Sequence, residues 1–328
     1  MLKIGINGFG RIGRLTMRAA LINKGVKVVA INDLSDNASL AHLLKYDSVY
    51  GILDADVKLN DQGFLIDGEQ IKVYSERDPA SVPWKESDVE VVVESTGIFR
   101  KRDAASKHLS AGAKRVIITA PAEADIVIVL GVNDHLYDPD QHFLISNASC
   151  TTNALAPVAK VLHENFGIEK GLMNTAHAYT NDQQLLDFPH SDLRRSRAAA
   201  LSIIPTSTGA AKTVGEVIPE LKGRIDGLAI RVPTPTVSLV DFVVQLKKTA
   251  SVGAINDVFK KAAAGSKYLA YSDEPLVSVD YKGNPFSSTI DGQSTMVIGD
   301  NLARVLAWYD NEWAYSNRVV DLASMIAD

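Results

Sequence analysis

The sequence predicts an α/β protein in two parts, a doubly wound parallel sheet followed by an α+β part with a mixed or antiparallel sheet. Three observations carry that reading. Short β-branched runs alternate with amphipathic segments up to about residue 149, the rhythm of a parallel sheet crossed by helices. Beyond residue 150 strands follow one another with fewer helices between them, which favours antiparallel pairing. The length, 328 residues, exceeds the roughly 250 to 300 at which a single core stops growing.

In the first part "KIGINGF", "VKVVAIND", "VEVVVEST", "KRVIITA", "IVIVLGV" and "HFLISNA" read as strands. Each is a near-continuous apolar run, as a sheet covered on both faces requires. Between the first two, "GRIGRLTMRAALINKG" sets Leu15, Ala19 and Ile22 at helical spacing and ends on Gly25, predicting a crossover helix. "KRDAASKHLSAGA", between Thr96 and Ala113, predicts another helix closed by glycine. After Cys150, "TTNALAPVAKVLHENFG" puts Leu155, Val158, Ala159, Leu162 and Phe166 on one helical face and stops at Gly167. A polar, arginine-bearing loop, "YTNDQQLLDFPHSDLRRSR", follows, and then the strands "GLAIRVP", "VSLVDFVVQL" and "ARVLAWYD". The domain boundary falls at the cysteine.

The composition, 46% apolar and 22% charged, is that of an ordinary globular protein with ample core material. A net charge of -5 supplies no basic stripe for nucleic acid, so no nucleic-acid partner is expected. No apolar run approaches the roughly 18 residues of a membrane span, and the chain starts directly on a strand without the pattern of a signal peptide. Cys150 is the only cysteine, which excludes an internal disulfide and fits a reducing compartment. The expectation is a cytoplasmic protein with no membrane partner.

"INGFGRIGR" holds Gly8, Gly10 and Gly13 in GxGxxG spacing. Alone this is a glycine-rich turn; context makes it more. It follows a strand, opens a helix, and is followed twenty residues after Gly13 by Asp33 at the end of "VVAIND". That is the arrangement in which glycines admit a pyrophosphate to a helix N-terminus and the acid accepts from an adenosine ribose. The first part is therefore predicted to be a Rossmann-type sheet.

Cys150, in "SNASCTTN", starts a helix with Ser149 as candidate cap. Unpaired N–H groups at a helix start stabilise a thiolate and an oxyanion, whereas the ordinary alternative is a small buried apolar residue. Of seven histidines, His177 in "NTAHAYTNDQ" stands at a strand end among hydroxyls and amides and is the candidate base; the other six read as structural. Arg195 in "DLRRSR" and Arg231 in "AIRVP" are the candidate cations for an anionic substrate, against the common alternative of solvated surface charge. Thr208 and Gly209 in "PTSTGAAK" form a hydroxyl and glycine turn ahead of a helix, a place where phosphate oxygens can be held. No His, Cys or carboxylate set has metal-ligand spacing.

The tracts "INGFGRIGR", "HLLKYDS", "SNASCTTN", "HAYTNDQ", "DLRRSRAAA", "IPTSTGAAK", "RVPTPTVSLVD" and "WYDNEW" resemble, in this order, the glyceraldehyde-3-phosphate dehydrogenase family over essentially the whole chain. The resemblance implies a glycolytic, phosphorylating oxidoreductase that turns glyceraldehyde 3-phosphate, inorganic phosphate and NAD into 1,3-bisphosphoglycerate and NADH. It further implies that Cys150 forms a thiohemiacetal and then a thioester, with His177 as acid and base. By the same resemblance Thr180 and Arg231 anchor the substrate's own phosphate. Ser149, Thr151, Thr208 and Gly209 cradle the attacking phosphate, and Arg195 stands between them. Gly8, Gly10, Arg11, Ile12, Gly13, Asp33, Arg77, Thr119 and Asn311 match positions that hold NAD. The segment from Glu312 matches one that returns to the nucleotide domain, giving an NAD-binding domain of residues 1–149 with 312–328 and a catalytic domain of 150–311. A homotetramer is the family expectation.

Three departures stand out. Ala154 occupies a place often held by a second cysteine; the loop "APAEADIV" after Thr119 is shorter than usual; and Trp313 and Ala314 follow Asn311 in "NEWAYSN". Pro189 and Asp33 match the NAD-specific version of the family. The alternatives are an erythrose-4-phosphate dehydrogenase of the same fold and a catalytically idle NAD-binding interaction protein.

Overall fold

A computed structural model describes residues 1–327; Asp328, the end of the expected NAD-binding domain, lies outside them. The chain forms two compact units, one of Met1–Ile128, His135–Ala148 and the chain from Ser316 onward, the other of Val129–Asp134 and Ser149–Tyr315. Among the described residues no helix is long and apolar enough to cross a membrane.

The first unit is a Rossmann-type α/β unit. Its nine-stranded sheet runs in the order Ile126–Val127, Leu144–Ser146, Arg115–Ile118, Val91–Glu94, Leu2–Asn7, Val26–Asn32, Glu69–Tyr74, Gly63–Ile66, Val57–Asn60. The first seven strands are parallel. Ile4, Ile6, Val92, Val93, Ile117 and Ile145 are wholly buried, which is why these strands are apolar without alternation. The chain leaves Leu2–Asn7 toward one edge and builds the other edge from Val91–Glu94 onward. The crevice between the ends of those two strands is therefore a topological switch point, where α/β sheets bind ligands.

Three details differ from the sequence expectation. The run "IVIVLGV" is a strand only at Ile126–Val127, because Asn133 Oδ1 accepts the Val129 N–H at 2.9 Å and Gly131 turns the chain with φ 80°. "KRDAASKHLSAGA" makes two single turns, Arg102–Ala105 and Lys107–Ser110. At the break the Ser106 hydroxyl donates to the Asp103 carbonyl at 3.1 Å, a local bond that competes with the helix ladder. The antiparallel pairing of Val57–Asn60 with Gly63–Ile66, and of Gly63–Ile66 with the last parallel strand Glu69–Tyr74, was not expected. Its signal is the Asp67-Gly68 pair, with φ 51° and 85°, the two left-handed residues of a tight hairpin.

The second unit carries a seven-stranded mixed sheet, in the order Ile204–Ser207, Ile225–Val232, Ile168–Ala178, Ser238–Leu246, Leu302–Tyr309, Ser288–Ile298, Leu269–Ser272. Ile168–Ala178 runs parallel to Ile225–Val232 and antiparallel to Ser238–Leu246. Val240, Phe242 and Val244 alternate with half-exposed neighbours and bury one face under helix Cys150–Phe166. The opposite face presents Leu172, Leu228, Ile298 and Leu302, all exposed.

Candidate active site

In the first unit the three glycines serve three different needs. Gly8 has φ 86°, and a Cβ there would lie 2.7 Å from the Thr96 nitrogen. Gly10 precedes helix Arg11–Ile22, whose start has no side-chain cap, and a Cβ on it would meet nothing within 4 Å. A Cβ on Gly13 would overlap the Gly8 carbonyl oxygen. A helix start uncapped by side chains, with bare backbone before it, is suited to an anion.

Asp33 is pinned at its strand end, accepting from the Phe9 N–H at 2.7 Å and the Ser35 N–H at 2.9 Å. Gly8, Gly10, Asp33, Arg77, Thr96 and Phe99 line a cavity of about 390 Å³. The cradle thus has the backbone access and the terminal acid that a dinucleotide needs. Ile12 lies in the first turn of the helix behind it, and Arg11 gives its guanidinium to Asp47 at 2.5 Å. Thr119 stands outside the lining, its N–H and hydroxyl both on the Glu94 carbonyl, at 3.0 and 3.1 Å. Asn7, Asn32, Glu76, Ser95, Thr96 and Phe99 line the cavity without having been singled out in the sequence; the strand-end tract "VEST" was the available signal for Ser95 and Thr96.

In the second unit Ser149 caps helix Cys150–Phe166, its Oγ accepting from the Thr152 N–H at 3.0 Å. The cap puts Cys150 in the first turn. Its Sγ lies 3.4 Å from His177 Nε2 and 4.0 Å from the Thr151 hydroxyl. His177 is near the end of strand Ile168–Ala178, in register with Arg231 on the neighbouring strand. His177 Nδ1 lies 2.7 Å from the Ala178 carbonyl and gives it its proton, which leaves Nε2 as the acceptor, while Arg231 Nη1 stands 2.7 Å from Nδ1 and donates to the same carbonyl at 3.0 Å. Tyr309 meets the imidazole edge to face, at 6.0 Å between centroids, while its hydroxyl pairs with Thr151 at 2.9 Å and Thr175 at 3.0 Å.

The electrostatics reverse one expectation. A helix start was expected to favour the Cys150 thiolate, yet burial pushes the thiol up and outweighs the opposing charge of Arg231 and the backbone N–H bonds. Burial, followed by Arg231, also holds His177 down, from 6.5 to about 3. Both shifts favour thiol and neutral imidazole, and with the Nδ1 proton held by the Ala178 carbonyl the free Nε2 can accept the thiol proton as the sulfur attacks.

The anion-directed residues surround this pair to different degrees. Arg231 is half-buried, and its Nε, which is buried, has no hydrogen-bond partner among the described residues. Arg195 is paired with Asp182 and donates to the Thr206 hydroxyl at 2.8 Å and the Ser207 carbonyl at 3.2 Å. Those protein partners were not visible in the sequence. Thr180 is tied to Gln183 through its N–H at 2.8 Å and its hydroxyl at 3.3 Å. Gly209 precedes helix Ala210–Val217 without a side-chain cap bond of its own, and the Thr208 hydroxyl accepts from the Ala210 N–H at 3.2 Å. The Thr152 hydroxyl donates to the Ala210 carbonyl at 3.4 Å, so the starts of these two helices adjoin. Asn311 is buried, its Oδ1 accepting from Ser238 Oγ at 2.9 Å.

Comparison with known proteins agrees with this geometry. The family model of the glyceraldehyde 3-phosphate dehydrogenase NAD binding domain matches residues 2–102, and that of the C-terminal domain matches residues 149–311. The chain is 61% identical to the glyceraldehyde-3-phosphate dehydrogenase of Geobacillus stearothermophilus over 329 residues, covering 99% of this chain and 98% of that protein. It is 60% identical to glyceraldehyde-3-phosphate dehydrogenase 1 of Bacillus subtilis over 99% of this chain and 98% of that protein. For glyceraldehyde-3-phosphate dehydrogenase 2 of the same organism the identity is 54%, over 99% and 97%. With the glycine cradle in one unit and the Cys150–His177 pair in the other, the chain belongs to the glyceraldehyde-3-phosphate dehydrogenase family, as an NAD-dependent phosphorylating oxidoreductase.

Proposed function

We propose that Cys150 is the nucleophile and His177 the acid and base of this phosphorylating oxidation, a reading carried by the 3.4 Å approach of Sγ to Nε2 at a capped helix start. Cys150 Sγ adds to the aldehyde carbon of glyceraldehyde 3-phosphate, and the thiol proton passes by way of His177 Nε2 to the carbonyl oxygen, which becomes the hydroxyl of a thiohemiacetal. Bound NAD supplies the two-electron oxidant. His177 takes the hydroxyl proton as the thiohemiacetal becomes a thioester. Inorganic phosphate then attacks the thioester carbonyl, the C–S bond breaks, and the leaving sulfur takes back the proton held on His177 Nε2, leaving 1,3-bisphosphoglycerate.

Two anion subsites fit the remaining residues. Thr180 and Arg231 hold the substrate's own phosphate, a role supported by the unpartnered Arg231 Nε. Ser149, Thr151, Thr208 and Gly209 hold the attacking phosphate, supported by the two adjoining helix starts. Arg195 serves both, and its pairing with Asp182 tempers its affinity for either. Gly8, Gly10, Gly13, Arg11, Ile12, Asp33, Arg77, Thr119 and Asn311 hold NAD. Residues 1–149 with 312–328 form the NAD-binding domain, and 150–311 the catalytic domain.

The exposed leucines on the open sheet face of the second unit support a homotetramer. Leu172 pairs in register with Val243, and Ile298 with Leu302, on one side of the sheet, exposed apolar pairs of the kind subunits cover. Light scattering that returned the mass of one chain would refute it. A cytoplasmic setting suits a chain whose single thiol must stay reduced.

NADH absorbance decides the central reading. Glyceraldehyde 3-phosphate should be oxidised rapidly only when phosphate is present, and erythrose 4-phosphate poorly. Preference for erythrose 4-phosphate, or no turnover of either, overturns the assignment.

A further inference from the structure

Beneath the cofactor cavity lies a buried carboxylate with no catalytic part in this scheme. Glu94 ends strand Val91–Glu94 and is 1% exposed; His108 beside it is fully enclosed. Glu94 Oε2 accepts from Asn7 Nδ2 at 2.5 Å, and His108 Nε2 lies 3.0 Å from the same oxygen. The Trp84 indole N–H donates to His108 Nδ1 at 3.0 Å. An indole is a donor only, so Nδ1 accepts, and Nε2 carries the proton and donates to Glu94. Glu94 Oε1 accepts from the Thr96 N–H at 2.8 Å and from the Thr96 hydroxyl. Both oxygens are thus met by donors, the complement of a carboxylate and not of a carboxylic acid.

The network continues sideways. Asn32 Nδ2 donates to Asn7 Oδ1 at 2.7 Å and to the Glu76 carbonyl at 2.9 Å, and Asn32 Oδ1 accepts from the Glu76 N–H at 2.8 Å. Asn7, Asn32, Glu76 and Thr96 all line the cavity. They belong to four separate stretches, carrying Gly8, Asp33, Arg77 and the Thr96 backbone against which Gly8 is fitted. Burying a carboxylate costs stability unless its donors are fixed; conversely, a carboxylate met only by donors fixes them. We propose that Glu94 is a positioning residue for the dinucleotide, clamping Asn7 and Thr96 and, through Asn7, the Asn32–Glu76 wall. The proposal rests on this cavity being the NAD site.

The test is NAD affinity by isothermal titration, with the melting temperature of each variant and the rate of Cys150 alkylation without NAD. In Glu94→Gln the oxygen can keep the Thr96 donors, but the new amide nitrogen faces Asn7 Nδ2 and His108 Nε2–H, donor against donor. NAD affinity should fall about tenfold or more, with alkylation of Cys150 unchanged. Adding Asn7→Asp gives the amide an acceptor while still receiving Asn32 Nδ2, and should recover about threefold or more of the loss. Unchanged NAD affinity in Glu94→Gln overturns the proposal. So does a loss that tracks a collapse in melting temperature and that Asn7→Asp fails to recover. Asp33→Ala in the same assay separates the two levels: if it leaves NAD affinity unchanged, the cavity assignment fails. If Asp33→Ala weakens NAD and Glu94→Gln does not, only the role of Glu94 fails.

Discussion

His177 and Arg231 face each other across paired parallel strands, with Nδ1 and Nη1 2.7 Å apart. The Nδ1 proton is given to the Ala178 carbonyl at 2.7 Å, so the guanidinium, which can only donate, sets its positive charge against protonation of the ring. Arg231 thus stands beside the proposed base as well as at a proposed anion subsite.

The first prediction concerns acid stability. His177 is held from 6.5 down to about 3, so between those values the unfolded chain binds a proton there that the folded chain refuses. The contribution is complete above about pH 6.5 and is lost as pH falls through the window, by on the order of 1 kcal/mol per pH unit. His177→Asn should flatten that part of a urea midpoint-versus-pH curve. Arg231→Ala should move the His177 ring titration upward by NMR; a downward shift would contradict the charge argument.

Cys150→Ser should fold normally yet lose at least about 10³-fold in turnover, since a hydroxyl cannot form the thioester. Iodoacetamide should abolish activity with one label per chain. Alkylated protein that retained full activity would remove the cysteine from the mechanism.

The two anion subsites should separate kinetically. Arg231→Ala loses a charge-assisted bond, so kcat/KM for the phosphorylated aldehyde should drop about 10- to 100-fold. Thr208→Ala loses a neutral donor and should raise the KM for inorganic phosphate by only about two- to tenfold. Equal effects of each change on both substrates would mean a single shared site.

Cofactor choice should follow Asp33, whose carboxylate would oppose the 2'-phosphate of NADP. NAD should be preferred in kcat/KM. Asp33→Gly should weaken NAD by about tenfold while relieving only part of the NADP penalty, because it brings no cation. NADP used as well as NAD by the unaltered protein would refute the assignment.

What the sequence made legible were residues whose chemistry leaves few alternatives. Gly8 and Gly13 must be glycine because the backbone of Thr96 and the Gly8 carbonyl occupy the space of a side chain. Cys150 stood out because it is alone and starts a capped helix. Less legible were partnerships between ordinary residues distant in sequence. Glu94 reads as a strand-end acid and His108 as a helix histidine, and only folding brings them to 3.0 Å. The Asp182 partner of Arg195 and the Asp47 partner of Arg11 were hidden for the same reason. So was the dominance of burial over the helix start at Cys150, which depends on the surroundings that the fold builds around the thiol.

Ala154, one helical turn after Cys150 and fully buried, leaves the thiol without a second cysteine anywhere in the chain. Were peroxide to convert Cys150 to a sulfenic acid, no internal disulfide could trap it, and the next oxidation steps are irreversible. Rescue must come from outside the molecule, by a small thiol capping the sulfur before it is overoxidised. The enzyme's recovery from oxidative stress is therefore set by the thiol pool around it and not by its own sequence.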